Sequence, residues 1–382
     1  MMRSDHQVLA LFTLSRRTNM PFKIGNKAVT GMYKGTQPIG KAFKGTTPIF
    51  SSNNEIARFF FSHVPASGTD GQLSVAEFKN NSFADLSFPL TDEFNGRIFD
   101  NILSCTKPVG DIMYVVRHSG AMKAFAKLDV RTLEWVYLGP NMTSWPNHFH
   151  VGGENDGKLI TMEQTGFSSY RLRERAMSDF ELITSTGTIS TSFYDPHYVS
   201  EDRIYFPGIN SNLNPDRAIR VFDFNMNLIG SSPYEWSQCN VLERDGYIYY
   251  INSGNGGMIK RINKSNLSGP ITSPKTDYHR FCIDGEFIYA IDGDGNLFKL
   301  NRGDFSIIES FNKPSEWEPL RSSWGTNIFL NETHVFIIYR WHDLGVAAIS
   351  KATGEYQKIV LVGSGQVMGN AYVGSSTLPS ML

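Results

Sequence analysis

The chain has 382 residues, of which 41% are hydrophobic, 13% aromatic and 19% charged, and it contains 34 glycines. These values indicate a soluble, turn-rich globular protein with a large core. A formal net charge of -1 without a long run of Lys or Arg argues against nucleic acid as a partner, because phosphate binding needs a concentrated positive surface. No apolar run approaches the roughly 18 residues of a membrane span. The three cysteines predict buried free thiols: Cys105, Cys239 and Cys282.

Residues 1–51 are predicted to form a separate N-terminal arm. Within this arm a ten-residue unit is duplicated, because residues 32–39 (MYKGTQPI) recur as residues 42–49 (AFKGTTPI). Each copy has one aromatic residue, a Lys-Gly turn and an extended Pro-Ile segment, which predicts a small β-hairpin. A hairpin of this size cannot bury a core by itself, so we expect it to dock on something larger.

These aromatic-Lys-Gly-Thr-x-Pro-Ile repeats, with Val29-Thr30-Gly31 leading in, resemble short N-terminal elements of tail, fibre and baseplate-associated proteins of tailed bacteriophages. The resemblance covers about residues 22 to 51. It implies a virion protein that contacts other tail proteins through the arm and forms a homo-oligomer in the particle. The implied anchor residues are Tyr33, Lys34, Gly35, Pro38, Phe43, Lys44, Gly45 and Pro48. The alternative is an ordinary hairpin packed on the domain that follows.

Residues 52–382 are predicted to form an all-β, seven-bladed propeller. A short apolar strand recurs about every 45 residues, near positions 59, 112, 159, 204, 248, 288 and 335. Asp156-Gly157, Asp245-Gly246 and Asp284-Gly285 precede three of these strands and predict hairpins, since Gly readily adopts positive φ. About four strands fit in each repeat, which is the content of one blade. The units resemble those of quinoprotein-like propellers in shape, and that resemblance implies no activity.

Residues 366–375 read as a further strand after the seventh unit. We expect this strand to pair beside residues 56–62 and complete the first blade, which would join the two ends of the chain.

The sequence contains no convincing catalytic or metal-binding constellation. Residues 292–296 (DGDGN) depart from the EF-hand pattern and predict a tight hairpin turn. His148 and His150 alternate on a strand but lack a third ligand at a suitable spacing, so we expect no metal and no cofactor. There is no nucleophile elbow, phosphate loop or dinucleotide fingerprint.

Aromatic residues with polar neighbours recur just ahead of the innermost strand of successive blades. Their spacing predicts a rim around one end of the channel, suited to stacking on sugar rings or seating loops of a partner protein. The predicted rim residues are Trp145, His148, Tyr194, His197, Trp236, Tyr278, Arg280 and Trp317. Alternatively, each aromatic residue wedges between adjacent blades.

Two functions are consistent with these patterns. The first is a non-enzymatic tail or fibre protein, anchored by its arm, whose propeller is displayed for binding a protein, a receptor or a glycan. The second is a hydrolase or lyase that acts on a glycan at the channel mouth. Its candidate acids are Asp195, Glu235, Asp277, Glu316 and Glu318.

Overall fold

The computed structural model describes most of the chain from residue 23 to residue 378. The backbone is described for residues 23–24, 27–28, 32–34, 37–39, 41–44, 47–51, 56–63, 72–89, 93–94, 97–98, 101–105, 109–119, 122–142, 149–166, 169–190, 198–207, 218–232, 238–252, 256–315, 327–340, 344–362 and 374–378. Side chains are described for residues 56–60, 75–87, 109–116, 124–137, 139, 156–163, 165, 169–189, 198–206, 218–232, 240–252, 256–315, 328–339 and 345–361. Within these ranges no helix is long and apolar enough to cross a membrane.

Among the described residues, three short antiparallel hairpins come before the propeller. They pair β1 (Lys23–Ile24) with β2 (Lys27–Ala28), β3 (Met32–Lys34) with β4 (Gln37–Ile39), and β5 (Lys41–Lys44) with β6 (Thr47–Ser51). The two copies of the sequence repeat therefore fold as two successive hairpins, as predicted. The predicted division of the chain at residue 51 falls between β6 and the next strand, and it stays a prediction.

Seven antiparallel sheets form the blades of a β-propeller, which confirms the predicted fold. Blade 1 contains β7 (Ile56–His63), β8 (Gln72–Lys79), β9 (Ser82–Asp85), β10 (Phe88–Pro89) and β38 (Gly374–Leu378). A hairpin of β11 (Glu93–Phe94) and β12 (Arg97–Ile98) comes before blade 2. Blade 2 contains β13 (Asn101–Cys105), β14 (Ile112–Ser119), β15 (Met122–Asp129) and β16 (Glu134–Met142), and blade 3 contains β17 (Phe149–Asn155), β18 (Lys158–Gly166), β19 (Ser169–Ala176), β20 (Leu182–Ser185) and β21 (Ile189–Ser190). Blade 4 contains β22 (Tyr198–Val199), β23 (Ile204–Pro207), β24 (Ile219–Phe222) and β25 (Leu228–Ser231), and blade 5 contains β26 (Gln238–Arg244), β27 (Tyr247–Asn252), β28 (Met258–Asn263) and β29 (Ile271–Thr272). Blade 6 contains β30 (Tyr278–Asp284), β31 (Phe287–Asp292), β32 (Leu297–Asn301) and β33 (Ile307–Phe311), and blade 7 contains β34 (Asn327–Leu330), β35 (His334–Arg340), β36 (Leu344–Ser350) and β37 (Tyr356–Val362).

In blades 2 to 7 the chain enters at the first strand and proceeds strand by strand across the sheet. The first strands of neighbouring blades contact one another, for example β13 with β17 and β30 with β34. They are therefore the innermost strands, and we refer to the positions from the centre outward as strands A, B, C and D. We refer to one end of the propeller as the mouth. It is the end at which each strand A begins and at which the loops between strands B and C lie.

The ring closes within blade 1, whose strand A comes from the C-terminal part of the chain. β38 pairs antiparallel with β7, with Gly374 opposite Phe60 and Leu378 opposite Ile56. The predicted pairing beside the first strand of blade 1 is confirmed for residues 374 and 375, the part of the predicted segment that the structure describes, and the strand continues to Leu378. Joining both ends of the chain in one sheet leaves no gap between the last blade and the first.

The described side chains form seven apolar core clusters, and each one lies between two neighbouring blades. Alternate residues of a strand supply the clusters on its two sides, because successive side chains point to opposite faces of the sheet. In blade 5, Ile248 and Tyr250 face blade 4, whereas Tyr249 and Ile251 face blade 6. This burial on both faces explains why the B strands read as nearly continuous apolar runs.

The three predicted Asp-Gly hairpins are A–B hairpins with two-residue loops. Asp156-Gly157 and Asp245-Gly246 are the central residues of their turns, and all four have positive φ. In blade 6 the loop is Gly285-Glu286 instead, because Asp284 is still paired in β30.

The C–D loops contain a second structural repeat that the sequence analysis did not identify. In each of blades 2 to 7 the fourth residue after strand C has a left-handed backbone, and these residues are Leu133, Phe180, Met226, Leu267, Phe305 and Gly354. The amide N–H of each of these residues donates to a carbonyl oxygen three or four residues earlier, and this hydrogen bond closes the loop. A bulky residue in this conformation costs about 1–2 kcal/mol. Packing against the preceding blade offsets that cost, since Phe180 and Phe305 are buried there.

Candidate functional site

The predicted rim lies largely outside the residues that the structure describes. Among its eight members, only Tyr278 and Arg280 have described side chains. The other six lie outside that set: Trp145, His148, Tyr194, His197, Trp236 and Trp317. Their role in ligand binding stays a prediction.

Tyr278 is the first residue of β30, at the mouth of the propeller. Its side chain is buried between blades 5 and 6, and its ring meets that of Phe298 edge-on at 5.8 Å. Burial raises the pKa of the Tyr278 hydroxyl far above its ordinary value, so the group stays protonated. Tyr278 therefore has the position of a wedge between blades, which was the alternative interpretation, and its ring is not open to a stacking ligand.

The neighbours of Tyr278 present polar groups at the mouth. Asp277 is exposed and has a left-handed backbone, and its carboxylate lies 3.4 Å from Nε2 of His279. A guanidinium nitrogen of Arg280 donates to the carbonyl oxygen of His279 at 2.9 Å. Donors and acceptors placed side by side in this way suit hydroxyl-rich ligands or polar loops of a partner protein.

The backbone beneath these groups is held by the B–C loop of blade 5. The N–H groups of Asp277 and Tyr278 donate to the carbonyl oxygens of Gly256 and Gly257, the second at 2.8 Å. A Cβ on Gly257 would lie 2.5 Å from the carbonyl oxygen of Tyr278, and its φ is +77°. Only glycine satisfies both conditions, so the start of strand A is fixed by its neighbouring blade.

The Asp-rich segment 292–296 is a tight turn between β31 and β32, as predicted. Oδ1 of Asp292 accepts from the N–H groups of Asp294 and Asn296 at 3.1 and 2.9 Å. Its Oδ2 accepts from the amide of Asn296 at 3.1 Å and lies 3.3 Å from Nζ of Lys275. Because donors occupy both oxygens, this carboxylate stabilises the turn rather than holding a calcium ion.

Within the described part of the chain, no group of three or more His, Cys, Asp or Glu is placed to hold a metal ion. Asp277 is the one acid of the proposed glycan-cleaving set with a described side chain. The remaining candidates lie outside the described residues: Asp195, Glu235, Glu316 and Glu318. Cys282 is a buried free thiol, as predicted, and burial raises its pKa, which makes it a poor nucleophile.

A charged cluster that the sequence analysis missed lies between blades 2 and 3. Arg171, Arg173 and Arg175 alternate along β19, and Arg175 reaches blade 2, where its guanidinium lies 5.2 Å from the ring centre of Phe125. Glu163 on β18 accepts from Arg173 at 2.5 Å and from Arg175 at 2.8 Å. We refer to these three arginines and Glu163 as the arginine cluster. The signal in the sequence is the alternation Arg-Leu-Arg-Glu-Arg within one strand.

Ion pairs connect neighbouring blades at the opposite end of the propeller. The cation that follows strand C pairs with an Asp at the A–B turn of the preceding blade in three cases: Lys264 with Asp202 at 2.7 Å, Arg302 with Asp245 at 2.5 Å, and Lys351 with Asp284 at 2.6 Å. Lys264 also contacts Glu243. Although burial acts against it, hydrogen bonds to Asp202 and Glu243 raise the pKa of Lys264. This repeated pairing connects neighbouring blades at that end of the propeller.

Comparison with solved structures identifies other propellers. A candidate 6-phosphogluconolactonase of Bacteroides uniformis aligns with a TM-score of 0.56 and 13% identity, over 82% of this chain and 98% of that one. A candidate 6-phosphogluconolactonase of Bacteroides fragilis aligns with a TM-score of 0.55 and 12% identity, over 86% of this chain and 99% of that one. A protein of Lactobacillus plantarum aligns with a TM-score of 0.55 and 12% identity, over 85% of this chain and 99% of that one. Identities this low show a shared fold alone. No protein-family model and no curated protein matches the sequence.

Proposed function

We propose that this chain is a structural protein of a tailed-bacteriophage particle, attached through its N-terminal hairpins and displaying the propeller for binding. Its ligand would be another tail protein or a glycan or receptor on the host surface. The proposal concerns binding, and no catalytic step is part of it.

The observation that carries this proposal is that the duplicated decamer is also a structural duplication. Tyr33 pairs with Pro38 in the first hairpin, and Phe43 pairs with Pro48 in the second. Two equal hairpins of three to five residues per strand are too small to be a domain. Tandem copies of one small unit are well suited to docking on repeated sites of an assembly, where two weak contacts act together.

The surface of the propeller supports a role in protein contacts. Large exposed apolar side chains lie on the outermost strands of six successive blades: Val136, Leu182, Ile183, Leu228, Ile229, Ile271, Ile307, Ile308 and Val360. Apolar side chains on exposed edge strands are unfavourable in an isolated protein and are typical of surfaces that meet other proteins. Packing against tail proteins or neighbouring copies would cover them.

The test is incorporation into particles. The full-length chain and a variant lacking residues 1–51 would be expressed, with a tag, during infection by a phage deleted for this gene, and the purified particles would be probed by immunoblot and immunogold electron microscopy. We expect the full-length chain in the particle and the deletion variant in the soluble fraction.

Two controls make the result specific. The deletion variant should melt at the temperature of the intact propeller, which shows that the loss is not due to unfolding. A variant lacking only the second hairpin, residues 41–51, should incorporate at a reduced level, because one of two equal docking units remains. Equal incorporation of all three chains, or absence of the full-length chain from particles, would contradict the proposal.

A further inference from the structure

The arginine cluster contains more positive charge than its described surroundings balance. Both carboxylate oxygens of Glu163 are taken, one by Arg173 and the other by Arg175. Arg171 has one long contact, from a terminal guanidinium nitrogen to Oγ1 of Thr188 at 3.4 Å. Arg173 and Arg175 therefore share one carboxylate, whereas the partly exposed guanidinium group of Arg171 has no carboxylate partner among the described residues, and positive charge that is not balanced is unfavourable where it is buried.

Two hydrogen-bond donors of the cluster are also unsatisfied. The Nε atoms of Arg171 and Arg173 are buried and have no hydrogen-bond partner among the described residues. Buried donors are almost always paired, so an unpaired donor on each of two adjacent arginines indicates that an acceptor group belongs here. Both guanidinium groups have a planar fork of donors, and this geometry matches the oxygens of carboxylate and phosphate.

The three arginines lie at different distances from the mouth. β19 runs away from the mouth, so Arg171 lies nearest to it, and the exposed fraction falls from 22% at Arg173 to 11% at Arg175. The inner end is closed by the rings of Phe125 and Phe180, which stack at 4.4 Å. A ligand group that approaches from the mouth would therefore meet Arg171 first and Arg173 next, and Glu163 holds both Arg173 and Arg175.

We infer that the arginine cluster binds a compact oxyanion, the carboxylate or phosphate group of an acidic surface glycan, through Arg171 and Arg173. The glycan as its source rests on the proposed function, whereas the oxyanion site rests on the cluster itself. One bound anion would reduce the excess positive charge and accept hydrogen bonds from the unpaired donors.

The experiment measures binding of inorganic phosphate to the full-length chain by isothermal titration calorimetry and by the shift in melting temperature. Ionic strength is held constant with chloride, so that general screening does not contribute. The variant is Arg171→Gln, which removes one long contact and should therefore fold as the wild type does, and the matched control is Arg244→Gln. Arg244 is 57% exposed and lies 3.9 Å from Asp245 at the opposite end.

We expect saturable binding that is at least about tenfold weaker in Arg171→Gln, because charge-assisted hydrogen bonds are lost, and unchanged in Arg244→Gln. Glu163→Gln removes the carboxylate that competes for the arginines, so it should bind phosphate more tightly than the wild type. Absence of saturable binding, or equal affinity in the two arginine variants, would overturn the inference.

A second arm separates the two sources of the oxyanion. Galacturonate is compared with galactose, which has the same ring without the carboxylate. Saturable binding of galacturonate but not galactose, weakened in Arg171→Gln, assigns the carboxylate, and binding of phosphate alone assigns a phosphate-bearing ligand. Particle incorporation of Arg171→Gln should equal that of the wild type, so failure of the virion proposal and failure of this site are seen in different assays.

Discussion

Blades 3 and 7 have the same backbone register but fill equivalent positions with opposite chemistry. In each, the first residue of strand B pairs with the last residue of strand C, Lys158 with Ala176 and His334 with Ser350. The equivalent side chains facing the preceding blade are Leu159, Thr161, Glu163, Arg171, Arg173 and Arg175 in blade 3, and Val335, Ile337, Tyr339, Gly345, Ala347 and Ile349 in blade 7.

The apolar interface of blade 7 contributes to stability, whereas the charged interface of blade 3 is the one for which we propose binding. The positions in blade 7 continue an apolar cluster with blade 6, beside the blade where the ring closes. Apolar burial at such a position stabilises the fold by roughly 25 cal/mol per Å². A buried ion cluster contributes less, because removing charges from water offsets most of their attraction. Charged residues in blade 3 are therefore better explained by a ligand than by a demand of the fold.

The largest effect is expected when a charge is placed in the apolar interface of blade 7. Ile337 is fully buried, so Ile337→Glu would bury a carboxylate without arginines to pair it. We expect a loss of about 4 kcal/mol or more in the free energy of unfolding, measured by urea titration with circular dichroism. The reverse control, Thr161→Val at the equivalent position, should change stability by about 1 kcal/mol, and an equal loss in both variants would show that the two interfaces do not differ.

Removal of the carboxylate from the arginine cluster is expected to have the next largest effect. Only 8% of the Glu163 side chain is exposed, so Glu163→Gln leaves two guanidinium groups buried without a counter-charge and should cost about 3 kcal/mol. The equivalent change in blade 7, Tyr339→Phe, removes one hydrogen bond to the carbonyl oxygen of Ile359 and should cost about 1 kcal/mol. A Glu163→Gln variant as stable as the wild type in the same urea titration would refute a buried ion cluster.

The C–D loops provide a third comparison. Blade 3 has Phe180 at the left-handed position, whereas in blade 7 a Cβ on Gly354 would lie 2.5 Å from Cδ1 of Phe311. Gly354→Ala should therefore cost about 2 kcal/mol through the clash and the strained backbone. Gly157→Ala, with φ +75° and no atom within 4 Å of its Cβ, isolates the backbone contribution. Equal melting temperatures for the two variants would exclude the clash.

The smallest effect is a pH dependence that belongs to blade 7. His334 is buried beside Phe78, with ring centres 4.8 Å apart, and burial, followed by the charge of Lys351, lowers the pKa of its imidazole. Because the unfolded chain takes up the proton at a higher pH than the native state, stability is full above about pH 6.5 and falls as pH decreases through the native pKa. We expect a loss of at most about 1.4 kcal/mol per pH unit between pH 7.5 and 5.5.

The control for this pH effect is His334→Gln, which cannot titrate. Its stability should change less over the same pH interval than that of the wild type, as followed by urea unfolding at each pH. Parallel pH profiles for the two proteins would assign the dependence to other groups.

The elements that could be predicted from the sequence are those determined by local chemistry. The Asp-Gly turns and the apolar B strands follow from backbone preference and from burial on both faces, and they located the blades. The role of the rim residues could not be predicted in the same way. The sequence pattern around an aromatic residue such as Tyr278 is the same whether its ring packs between blades or faces a ligand. Its burial is decided by Phe298 and by residues of blade 5, which are distant along the chain.

The arginine cluster shows the same limit. The alternation of Arg171, Arg173 and Arg175 was visible in the sequence, but an exposed strand face would read identically. The structure adds Glu163 on the neighbouring strand and Phe125 of the preceding blade, and these contacts make the face an interface.

By itself, the sequence determined the strand and turn content, the number of blades and the duplicated hairpins, because these depend on period-two burial and on residues that favour turns. Only the tertiary structure decided which face of each strand meets which blade, and which charges are buried together. It also placed β38 opposite residues 56–60, which lie roughly three hundred residues earlier in the chain. Pairings over such distances depend on the closed ring, since no local preference specifies a partner that far away.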